Sequence, residues 1–238
     1  SNRADEVDTL LVFDNVLIPW EDVLFYQHTK AATFIRGTLH RYSALAFVER
    51  ILHMADLMIG TALHNVRQTG LEHQQAVREK LASLICYREG INAHLTAAIA
   101  NAEKSPGGLL MPNQSFLYTG RVHACSQLHN MSHLARELCG GQICVTPNNS
   151  DFQNKDTQPW LEKFYSINDK WSSEDRRRLL AFGRDLLNSS YAGHKLTFQL
   201  FAQSAPFAHL NAVYNNFDFT GPLDFVKRSA GLSEKVMH

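Results

Sequence analysis

The sequence has no excess charge of either sign and no long apolar run. Lysine and arginine total 23, and aspartate and glutamate also total 23, so no net positive charge attracts nucleic-acid phosphates. No apolar run approaches the roughly 20 residues that a bilayer span requires. The first residues also lack the basic and apolar segments of a secretion signal. We therefore expect a cytoplasmic protein with no nucleic-acid partner and no membrane association.

Cysteine is sparse, with four residues in a chain of 238. None forms a C-x-x-C pair, and a chain of this length builds a core without disulfide staples. We expect all four to be reduced core residues: Cys86, Cys125, Cys139 and Cys144.

The common nucleotide, hydrolase and metalloprotease motifs are also missing. The chain contains no G-x-x-x-x-G-K-[ST], G-x-G-x-x-G, G-x-S-x-G or H-E-x-x-H. Twelve histidines are present, and His129 and His133 are one helical turn apart, but this spacing is more typical of surface or core histidines than of a metal pair. We expect no metal site. Composition and motifs alone indicate only a soluble helical domain.

Helical periodicity dominates the sequence from about Phe34 onward. Apolar residues recur at spacings of three and four over residues 42–66, 73–103 and 114–138, and glycine or proline breaks separate these segments. Ser172-Ser173-Glu174 resembles a helix cap before a fourth helix, which Tyr191-Ala-Gly interrupts. A shorter amphipathic segment covers residues 196–210, and residues 148–156 form a predicted surface loop. Long helices joined by short breaks predict a helical bundle.

Residues 8–20 differ from the rest of the chain. They are rich in β-branched and aromatic residues and end at Pro19, which favours one or two strands. The sequence therefore predicts a mainly α fold with a short β segment in front of it. We place the end of a β domain and its linker at residues 1–33 and the helical bundle domain at residues 34–238.

The same opening segment carries a family resemblance. The segment reads Asp5-Glu-Val-Asp-Thr-Leu-Leu-Val-Phe-Asp-Asn-Val-Leu-Ile-Pro-Trp-Glu-Asp-Val. It is similar to a motif of the 4-hydroxyphenylacetate 3-hydroxylase family, D-E-[IV]-D-x-x-x-V-F-D-D-V-x-[VI]-P-W-E-x-V. The resemblance continues through the long helices and the Gly-Gly segment to Tyr191-Ala-Gly, which is most of the chain.

This resemblance implies an acyl-CoA dehydrogenase-like fold, of which this chain is the C-terminal helical bundle. It also implies the activity: a separate flavin reductase supplies reduced FAD, and one oxygen atom of O₂ is transferred to a phenolic substrate. In the family a long N-terminal portion precedes the motif and supplies substrate-binding residues, so we expect catalysis to need that portion too. The resembling proteins pack their bundles together, which implies a homo-oligomer, expected to be a tetramer.

His40 is the candidate catalytic residue. In the family's dehydratases a histidine at this place is followed seven residues later by a cysteine, and both ligate an iron–sulfur cluster, but here the later residue is Phe47. In chlorophenol and nitrophenol monooxygenases the corresponding histidine lies near the phenol. The resemblance thus assigns His40 to orienting or deprotonating the substrate hydroxyl. The alternatives are a capping or packing role for His40 at a helix start, and a substrate role for His28 instead.

Two further segments are candidates for contact with FAD. Tyr191-Ala-Gly-His-Lys-Leu resembles the Y-E-G-T segment of acyl-CoA dehydrogenases, which implies flavin contacts by Gly193, His194 and Leu196. Alanine replaces the glutamate base of that segment, and a methyl group abstracts no proton, which disfavours acyl-CoA dehydrogenation. The alternative is a plain helix break.

The second segment is Glu137-Leu-Cys-Gly140-Gly141, which is similar to the Q-x-x-G-G that meets the FAD of a neighbouring subunit in acyl-CoA dehydrogenases. The resemblance implies FAD contact by Gly140 and Gly141, and an ordinary helix C-cap is the alternative. A carboxylate at Glu137 would repel the diphosphate unless it points away.

Two other functions remain open at this point. One is a non-catalytic flavin-binding or oligomerisation module of the same fold. The other is an acyl-CoA dehydrogenase or 4-hydroxybutyryl-CoA dehydratase relative, which Ala192 and Phe47 disfavour.

Overall fold

The computed structural model describes residues 9–202 and 204–232. The order of elements in this part is α1 (Thr29–Gln68), α2 (Gln75–Ala100), β1 (Glu103–Lys104), β2 (Leu110–Met111), α3 (Gln114–Cys139), α4 (Asn149–Gln153), α5 (Gln158–Phe164), α6 (Ser173–Leu187), α7 (Ser190–Phe201), α8 (Pro206–Asn216) and α9 (Thr220–Ala230). Helix dominates, so the predicted mainly α class and the helical bundle are confirmed.

The three longest helices, α1, α2 and α3, pack on one another and form the centre of the bundle. Their shared core consists of residues at helical spacing, including Ile51, Ala55, Met58, Ile91 and Leu128, all almost fully buried. Burial of the larger side chains among them, isoleucine, leucine and methionine, stabilises a fold by about 1.5 to 3 kcal/mol each relative to exposure. The three predicted long helices are therefore the hydrophobic core of this domain.

Helices α2 and α3 approach closely at two glycines. A Cβ atom added to Gly90 would lie 2.6 Å from His123 Nε2, and one added to Gly120 would lie 2.5 Å from His94 Cβ. The two imidazole rings occupy the space that the glycines leave, with centroids 6.0 Å apart. Small residues at the crossing thus set the spacing between α2 and α3.

A short hairpin connects α2 to α3, which the sequence did not predict. Strands β1 and β2 pair antiparallel around Ser105-Pro-Gly-Gly, where Gly108 has a positive φ of 84°. The Ser105 hydroxyl accepts a hydrogen bond from the Leu109 backbone N–H at 3.0 Å and steadies the turn. The break predicted at this proline-glycine segment is confirmed, and its outcome is a hairpin.

A second layer, α6 to α8, covers α3. Ser172 caps α6 by accepting from the Asp175 backbone N–H at 3.0 Å, which confirms the predicted cap. Asn65 of α1 donates to the carbonyls of Leu138 and Cys139 at 2.8 and 3.2 Å, so a buried amide satisfies the end of α3.

Several helix boundaries in the structure differ from the predicted ones. Helix α1 begins at Thr29, well before residue 42, because His28 caps it there. The break placed at Tyr191-Ala-Gly lies instead at Asn188 and Ser189, and Ser189 caps α7. The single segment predicted for residues 196–210 is two helices, since Pro206 starts a new one. The predicted loop at residues 148–156 contains the five-residue helix α4, whose capping box joins Asn148 and Asp151.

The strand prediction for residues 8–20 is wrong for the described part of that segment. Residues 9–28 carry no strand, and a single 3-10 turn, Trp20–Asp22, interrupts them. Apolar side chains here are open to solvent, with Leu10, Leu17 and Leu24 at 90%, 89% and 92% exposure. A strand forms only when a neighbouring strand takes up its backbone hydrogen bonds, and residues 9–28 have no such neighbour in the described chain. The first residues of the family motif, Asp5 to Asp8, lie outside the described residues.

Among the described helices, none is both long enough and apolar enough to cross a membrane. The described cysteines carry no disulfide. Cys125 and Cys139 are buried as expected, whereas Cys86 and Cys144 are exposed, so the core assignment is wrong for those two.

Candidate active site

The candidate site is a cavity of about 590 Å³ between the first half of α1, the start of α3, and α8 with the loop before it. His40 lines it from α1, and Gln114, Tyr118 and Arg121 line it from α3. His209 closes it from α8. Since α1 and α3 belong to the central bundle, their side chains are held by a packed core.

His40 lies in the interior of α1, three turns after its first residue, so the expected position at a helix start is wrong. Its Nδ1 atom lies 3.1 Å from the Tyr118 hydroxyl oxygen, and the two rings meet edge to face with an interplanar angle of 82°. Its Nε2 atom lies 3.5 Å from Arg121 Nη1. A capping role is thereby excluded, and His40 instead joins α1 to α3 at the cavity wall.

These neighbours fix the proton on the His40 ring. A guanidinium is always a donor and never an acceptor, so the nitrogen that faces Arg121 must present a lone pair. The neutral ring then carries its proton on Nδ1 and donates it to the Tyr118 oxygen. His40 Nε2 therefore carries the lone pair of the neutral ring, and Arg121 Nη1 lies beside it at the cavity wall.

Arg121 is the most deeply placed charge at this site. Its residue is 1% exposed, and its guanidinium carbon stands 4.9 Å from the centroid of the Phe47 ring. Burial lowers the pKa of Arg121, and the adjacent Cys125 and Tyr118 oppose that shift. Its Nε and Nη2 atoms are buried without a hydrogen-bond acceptor. The Cys125 thiol is a weak acceptor, and it points its own proton at the Gln199 carbonyl at 3.8 Å.

His209 stays neutral at physiological pH. Burial, followed by the nearby charge of Arg121, lowers its pKa to about 4. Its Nε2 atom lies 3.1 Å from the Ser204 carbonyl oxygen, and a carbonyl only accepts, so Nε2 carries the proton of the neutral ring. His209 therefore anchors the loop before α8 over the cavity without adding a second positive charge.

Phe47 takes the place of the cluster-ligating cysteine that the resemblance implies for a dehydratase. Its ring is 1% exposed and packs beneath Arg121, so an aromatic ring and a guanidinium fill this place. Neither group is a ligand for iron. His28, the alternative to His40, is exposed and accepts the Ala31 backbone N–H on Nδ1 at 2.9 Å, which makes it the N-cap of α1.

Gly140 and Gly141 lie at the other end of α3. Gly140 has a φ of 71°, both residues are exposed, and a Cβ atom at either would meet nothing within 4 Å. Tyr118 is 22 residues earlier on the same helix, which corresponds to about 33 Å along its axis. One chain therefore does not bring this pair to His40.

Glu137 precedes these two glycines, and its carboxylate forms an ion pair with a lysine. Its carboxylate accepts a hydrogen bond from Lys80 Nζ at 2.8 Å and lies 3.7 Å from His133 Nε2. The hydrogen bond from Lys80 lowers the pKa of Glu137. The expected repulsion of a diphosphate is thus reduced, and the open glycine backbone with Lys80 beside it fits the approach of an anionic cofactor.

The third predicted group lies in the first turns of α7. Gly193 and His194 are exposed, and an added Cβ at Gly193 would meet nothing within 4 Å. Leu196 is partly buried and packs against the core. Gln199 near the end of α7 contacts Cys125 of α3, and Leu187 just before α7 contacts Arg136 of α3. Gly193 therefore lies opposite the middle of α3, on the order of 15 Å along the helix axis from Tyr118. The backbone at Gly193 is thus open to a ligand from outside the chain, whereas Leu196 has a packing role.

The described histidines are also candidate metal ligands. Among the residues it describes, no group of three or more histidine, cysteine or acidic side chains is arranged to hold a metal ion. His123 contacts His94 and Tyr87, and His133 contacts Glu137.

Tyr118, Arg121 and His209 were missed by the sequence analysis. Tyr118 and Arg121 are three residues apart on the predicted third helix, so their shared face was foreseeable. Their meeting with His40 depends on how α1 crosses α3, and no local pattern encodes that crossing.

Comparisons with known proteins give a consistent result. The family model described as 4-hydroxyphenylacetate 3-hydroxylase C terminal matches residues 29–231. The oxygenase component of 4-nitrophenol 4-monooxygenase/4-nitrocatechol 2-monooxygenase from Rhodococcus opacus is 31% identical over 166 residues, which is 68% of this chain and 31% of that protein.

Solved structures show the same fold at low identity. The oxygenase component of 4-hydroxyphenylacetate 3-monooxygenase, in complex with FAD and 4-hydroxyphenylacetate, superposes with a TM-score of 0.85 at 22% identity, over 93% of this chain and 47% of that one. An archaeal 4-hydroxybutyryl-CoA dehydratase from N. maritimus also has a TM-score of 0.85, at 20% identity, over 95% of this chain and 45% of that one. The chain spans less than half the length of these relatives.

Proposed function

The chain belongs to the 4-hydroxyphenylacetate 3-hydroxylase family, and from this premise we propose that it is the C-terminal part of an oxygenase component that uses FADH₂ and O₂ to hydroxylate a phenolic substrate. The observation that carries the proposal is the cavity beside His40. His40, whose ring is oriented by Tyr118 at 3.1 Å, lines about 590 Å³ of space. Ring hydroxylation needs such a base, because a phenolate is far more electron-rich than a phenol.

The proposed role of His40 is to accept the proton of the substrate hydroxyl on Nε2. The hydroxyl proton leaves the oxygen, Nε2 gains it, and the ring becomes an imidazolium whose Nδ1–H still donates to Tyr118. Gln114 at the start of α3 is a further hydrogen-bonding group at the wall. Helix α8 and the loop before it, anchored by His209, limit the entry of water from that side.

The proposed cofactor is FAD, delivered in reduced form by a flavin reductase, and it supplies the oxygen-transferring chemistry when bound. Within this chain, the proposed FAD contacts are made by Gly193 and His194, and Leu196 packs behind these two residues. Gly140 and Gly141 are too far along α3 to serve the same cavity, so we assign them to the cofactor of a neighbouring subunit. Their open backbone supports this assignment.

The proposed assembly is a homotetramer located in the cytoplasm. Helix α9 supports the oligomer because all its described residues are at least partly exposed, including Leu223, Phe225 and Val226 at 67%, 66% and 55%. An apolar face of this kind is typical of an interface. We keep the domain boundary between residues 33 and 34 as a proposal, with residues 1–33 belonging to a β domain.

A direct assay tests the function. The complete native protein, including the portion that precedes this chain, is incubated with FAD, a flavin reductase and ¹⁸O₂, and a panel of phenols is supplied: 4-nitrophenol, chlorophenols and 4-hydroxyphenylacetate. We expect one hydroxylated product that carries a single ¹⁸O atom by mass spectrometry. Reduced flavin that yields only hydrogen peroxide with every phenol would contradict the proposal and favour a non-catalytic flavin-binding or oligomerisation module.

Two other activities conflict with the site. Ala192, at the position of the acyl-CoA dehydrogenase glutamate, is 1% exposed and offers no base. Phe47 with Arg121 above it leaves no thiolate for the iron–sulfur cluster of a dehydratase.

A further inference from the structure

Gln114 is a cavity residue whose amide donors are not used within the described part of the chain. It is the first residue of α3, it is half-buried, and it lines the cavity next to His40. Its amide oxygen, Oε1, accepts a hydrogen bond from Arg41 Nη2 at 2.6 Å. Its amide nitrogen, Nε2, has no hydrogen-bond acceptor among the described residues. Gln114 therefore has two N–H groups available for a ligand of the cavity.

Arg41 fixes which end of the Gln114 amide is available. A guanidinium only donates, so the atom that faces Nη2 is the amide oxygen, and the nitrogen is turned away from Arg41. Arg41 is itself held, because its Nη1 donates to Glu103 Oε2 at 3.3 Å. Glu103 Oε1 accepts from Asn113 Nδ2 at 2.9 Å, and Asn113 Oδ1 caps α3 by accepting from the Phe116 backbone N–H at 3.2 Å. A flipped Gln114 amide would set its N–H groups against those of Arg41, so the network permits one orientation.

The charges around the cavity favour an electron-rich ligand atom at Gln114. The Arg41 side chain is 13% exposed, and its charge polarises the Gln114 amide, which makes the N–H groups stronger donors. Arg121 supplies a second positive charge, and none of the described residues that line the cavity is acidic. Two amide donors in such surroundings favour an oxygen atom that accepts, as in a carboxylate or a nitro group, over a chlorine or an alkyl substituent.

The position of Gln114 suits the end of a phenol that is remote from its hydroxyl group. Gln114, Tyr118 and Arg121 are separated by four and three residues, so they share one face of α3. Gln114 precedes Tyr118 by about 6 Å along the helix axis and precedes Arg121 by about 10 Å. Tyr118 and Arg121 are the residues beside the His40 ring. A para-substituted phenol is about as long as this separation, so its hydroxyl can lie at His40 while its substituent lies at Gln114.

We propose that Gln114 determines substrate specificity by donating a hydrogen bond from Nε2 to an oxygen atom of the para substituent of the phenol. The proposal rests on the proposed function and names the substrate class: a phenol with an oxygen acceptor opposite its hydroxyl group. Arg41 is a positioning residue, because it acts on the substrate only through the Gln114 amide.

The test uses the complete native protein and two pairs of phenols that differ at the para position. 4-Hydroxyphenylacetate has a carboxylate where 4-ethylphenol has a methyl group, and 4-nitrophenol has oxygen atoms that 4-chlorophenol lacks. The Kd of each phenol is measured at a pH where its hydroxyl group is neutral, together with kcat and KM for hydroxylation. We expect the oxygen-bearing member of at least one pair to bind at least 10-fold more tightly, the order expected for a charge-assisted hydrogen bond. Equal affinity within both pairs would overturn the proposal.

Gln114→Glu changes the end of the side chain that faces away from Arg41. A carboxylate still accepts from Arg41, so the network that holds the start of α3 is kept, but its other oxygen repels an acceptor. The preference for the oxygen-bearing phenol should fall at least 10-fold. Gln114→Leu removes the donors without adding a charge and should abolish the preference, and thermal melts check that both variants fold. Gln127→Glu makes the same chemical change at an exposed position of α3 and should keep the wild-type preference.

Arg41→Met tests the positioning role. The variant replaces the guanidinium by an apolar chain of similar length, so the Gln114 amide loses the partner that orients it. The preference should fall through a higher KM for the oxygen-bearing phenol rather than through a lower kcat for all four phenols. A uniform fall in kcat with the preference kept would show that Arg41 supports only the fold and would overturn its positioning role.

The outcomes separate this proposal from the proposed function. The wild-type preference in both Gln114→Glu and Gln114→Leu, with hydroxylation intact, would overturn the role of Gln114 and leave the function standing. Weaker FAD binding in Gln114→Glu, with the phenol preference kept, would place Gln114 at the cofactor and also overturn the proposal. If the wild-type protein binds and hydroxylates none of the four phenols, the proposed function fails and this proposal fails with it.

Discussion

His40 Nδ1 lies 3.1 Å from the Tyr118 hydroxyl, although 78 residues separate them in the chain. The contact crosses from α1 to α3, two helices that share the central core. Because that core is contained in the described chain, the relative position of the base and its orienting hydroxyl is fixed by packing of this domain alone. Substitutions that move α1 away from α3 should therefore change the geometry of the site and lower the stability of the fold together.

The first prediction concerns the helix crossing. Gly120→Ala should destabilise the fold by about 1 to 3 kcal/mol, because the new Cβ would lie 2.5 Å from His94 Cβ in a packed contact. Gly60→Ala on α1 is the matched control, since its Cβ meets nothing within 4 Å, and it should stabilise by about 0.5 to 1 kcal/mol. Urea unfolding of both variants measures the difference. Equal stability of the two would contradict the close approach.

The long helices were predictable because apolar spacing and glycine breaks encode them locally. Helix α3 matches the predicted third helix almost residue for residue, and Ser172 is the cap that the sequence indicated. The start of α1 was not predictable from periodicity, since residues 29–41 are mostly exposed in the described chain and show no clear apolar face. The strand expected at residues 8–20 failed for a different reason. A strand depends on a neighbour, and sequence composition does not reveal whether one is present.

The site was only partly predictable. His40 was identified through the family resemblance, and the structure places it on a cavity wall. Arg121 could not be identified from the sequence, because its burial and its position over the Phe47 ring depend on how distant segments pack together. Whether the flavin candidates Gly140, Gly141, Gly193 and His194 meet a cofactor remains a prediction.

The second prediction addresses Gly193. Gly193→Val should weaken FAD binding at least 10-fold, because a branched side chain would stand where the cofactor approaches the backbone. The fold should survive, since an added Cβ meets nothing within 4 Å in the chain. Flavin titration gives the affinity, and a thermal melt gives the stability. Unchanged affinity in a stable variant would remove α7 from the cofactor site.

The third prediction is the oligomeric state. Light scattering at micromolar concentration should give four times the mass of the chain in the native protein, because the apolar face of α9 requires a partner. Leu223→Lys with Phe225→Lys should lower the mass, whereas Asp224→Lys on the same helix should not. A monodisperse wild-type monomer would exclude the tetramer and the assignment of Gly140 and Gly141 to a neighbour's cofactor.

The fourth prediction is a pH dependence set by His209. Its pKa is about 4 in the folded protein, below the roughly 6.5 of an unfolded histidine, so the unfolded state binds the extra proton between these values. The stabilising effect of the neutral ring is complete above pH 6.5 and is lost as the pH falls towards 4. Between pH 7 and pH 4.5 the loss should be about 2 to 3 kcal/mol.

The matched variant for this effect is His209→Gln. Its amide can still donate to the Ser204 carbonyl, but it does not titrate. Urea unfolding at both pH values should show a smaller loss for the variant than for the wild type, while losses from other groups are common to both. Identical losses would mean that His209 is not held neutral.

The last prediction concerns His40 itself. His40→Ala should leave consumption of reduced flavin by O₂ intact and slow formation of the hydroxylated product by roughly 10² to 10⁴, the usual contribution of a general base. Oxygen that is not transferred should appear as hydrogen peroxide. His28→Ala is the matched control, since His28 caps α1 and should cost about 1 kcal/mol of stability with the product yield unchanged. Product and peroxide measured per flavin oxidised distinguish the two histidines. Because His40 lies inside α1, a loss of helix capping does not explain a lower yield. Wild-type yield in a folded His40→Ala protein would remove His40 from catalysis.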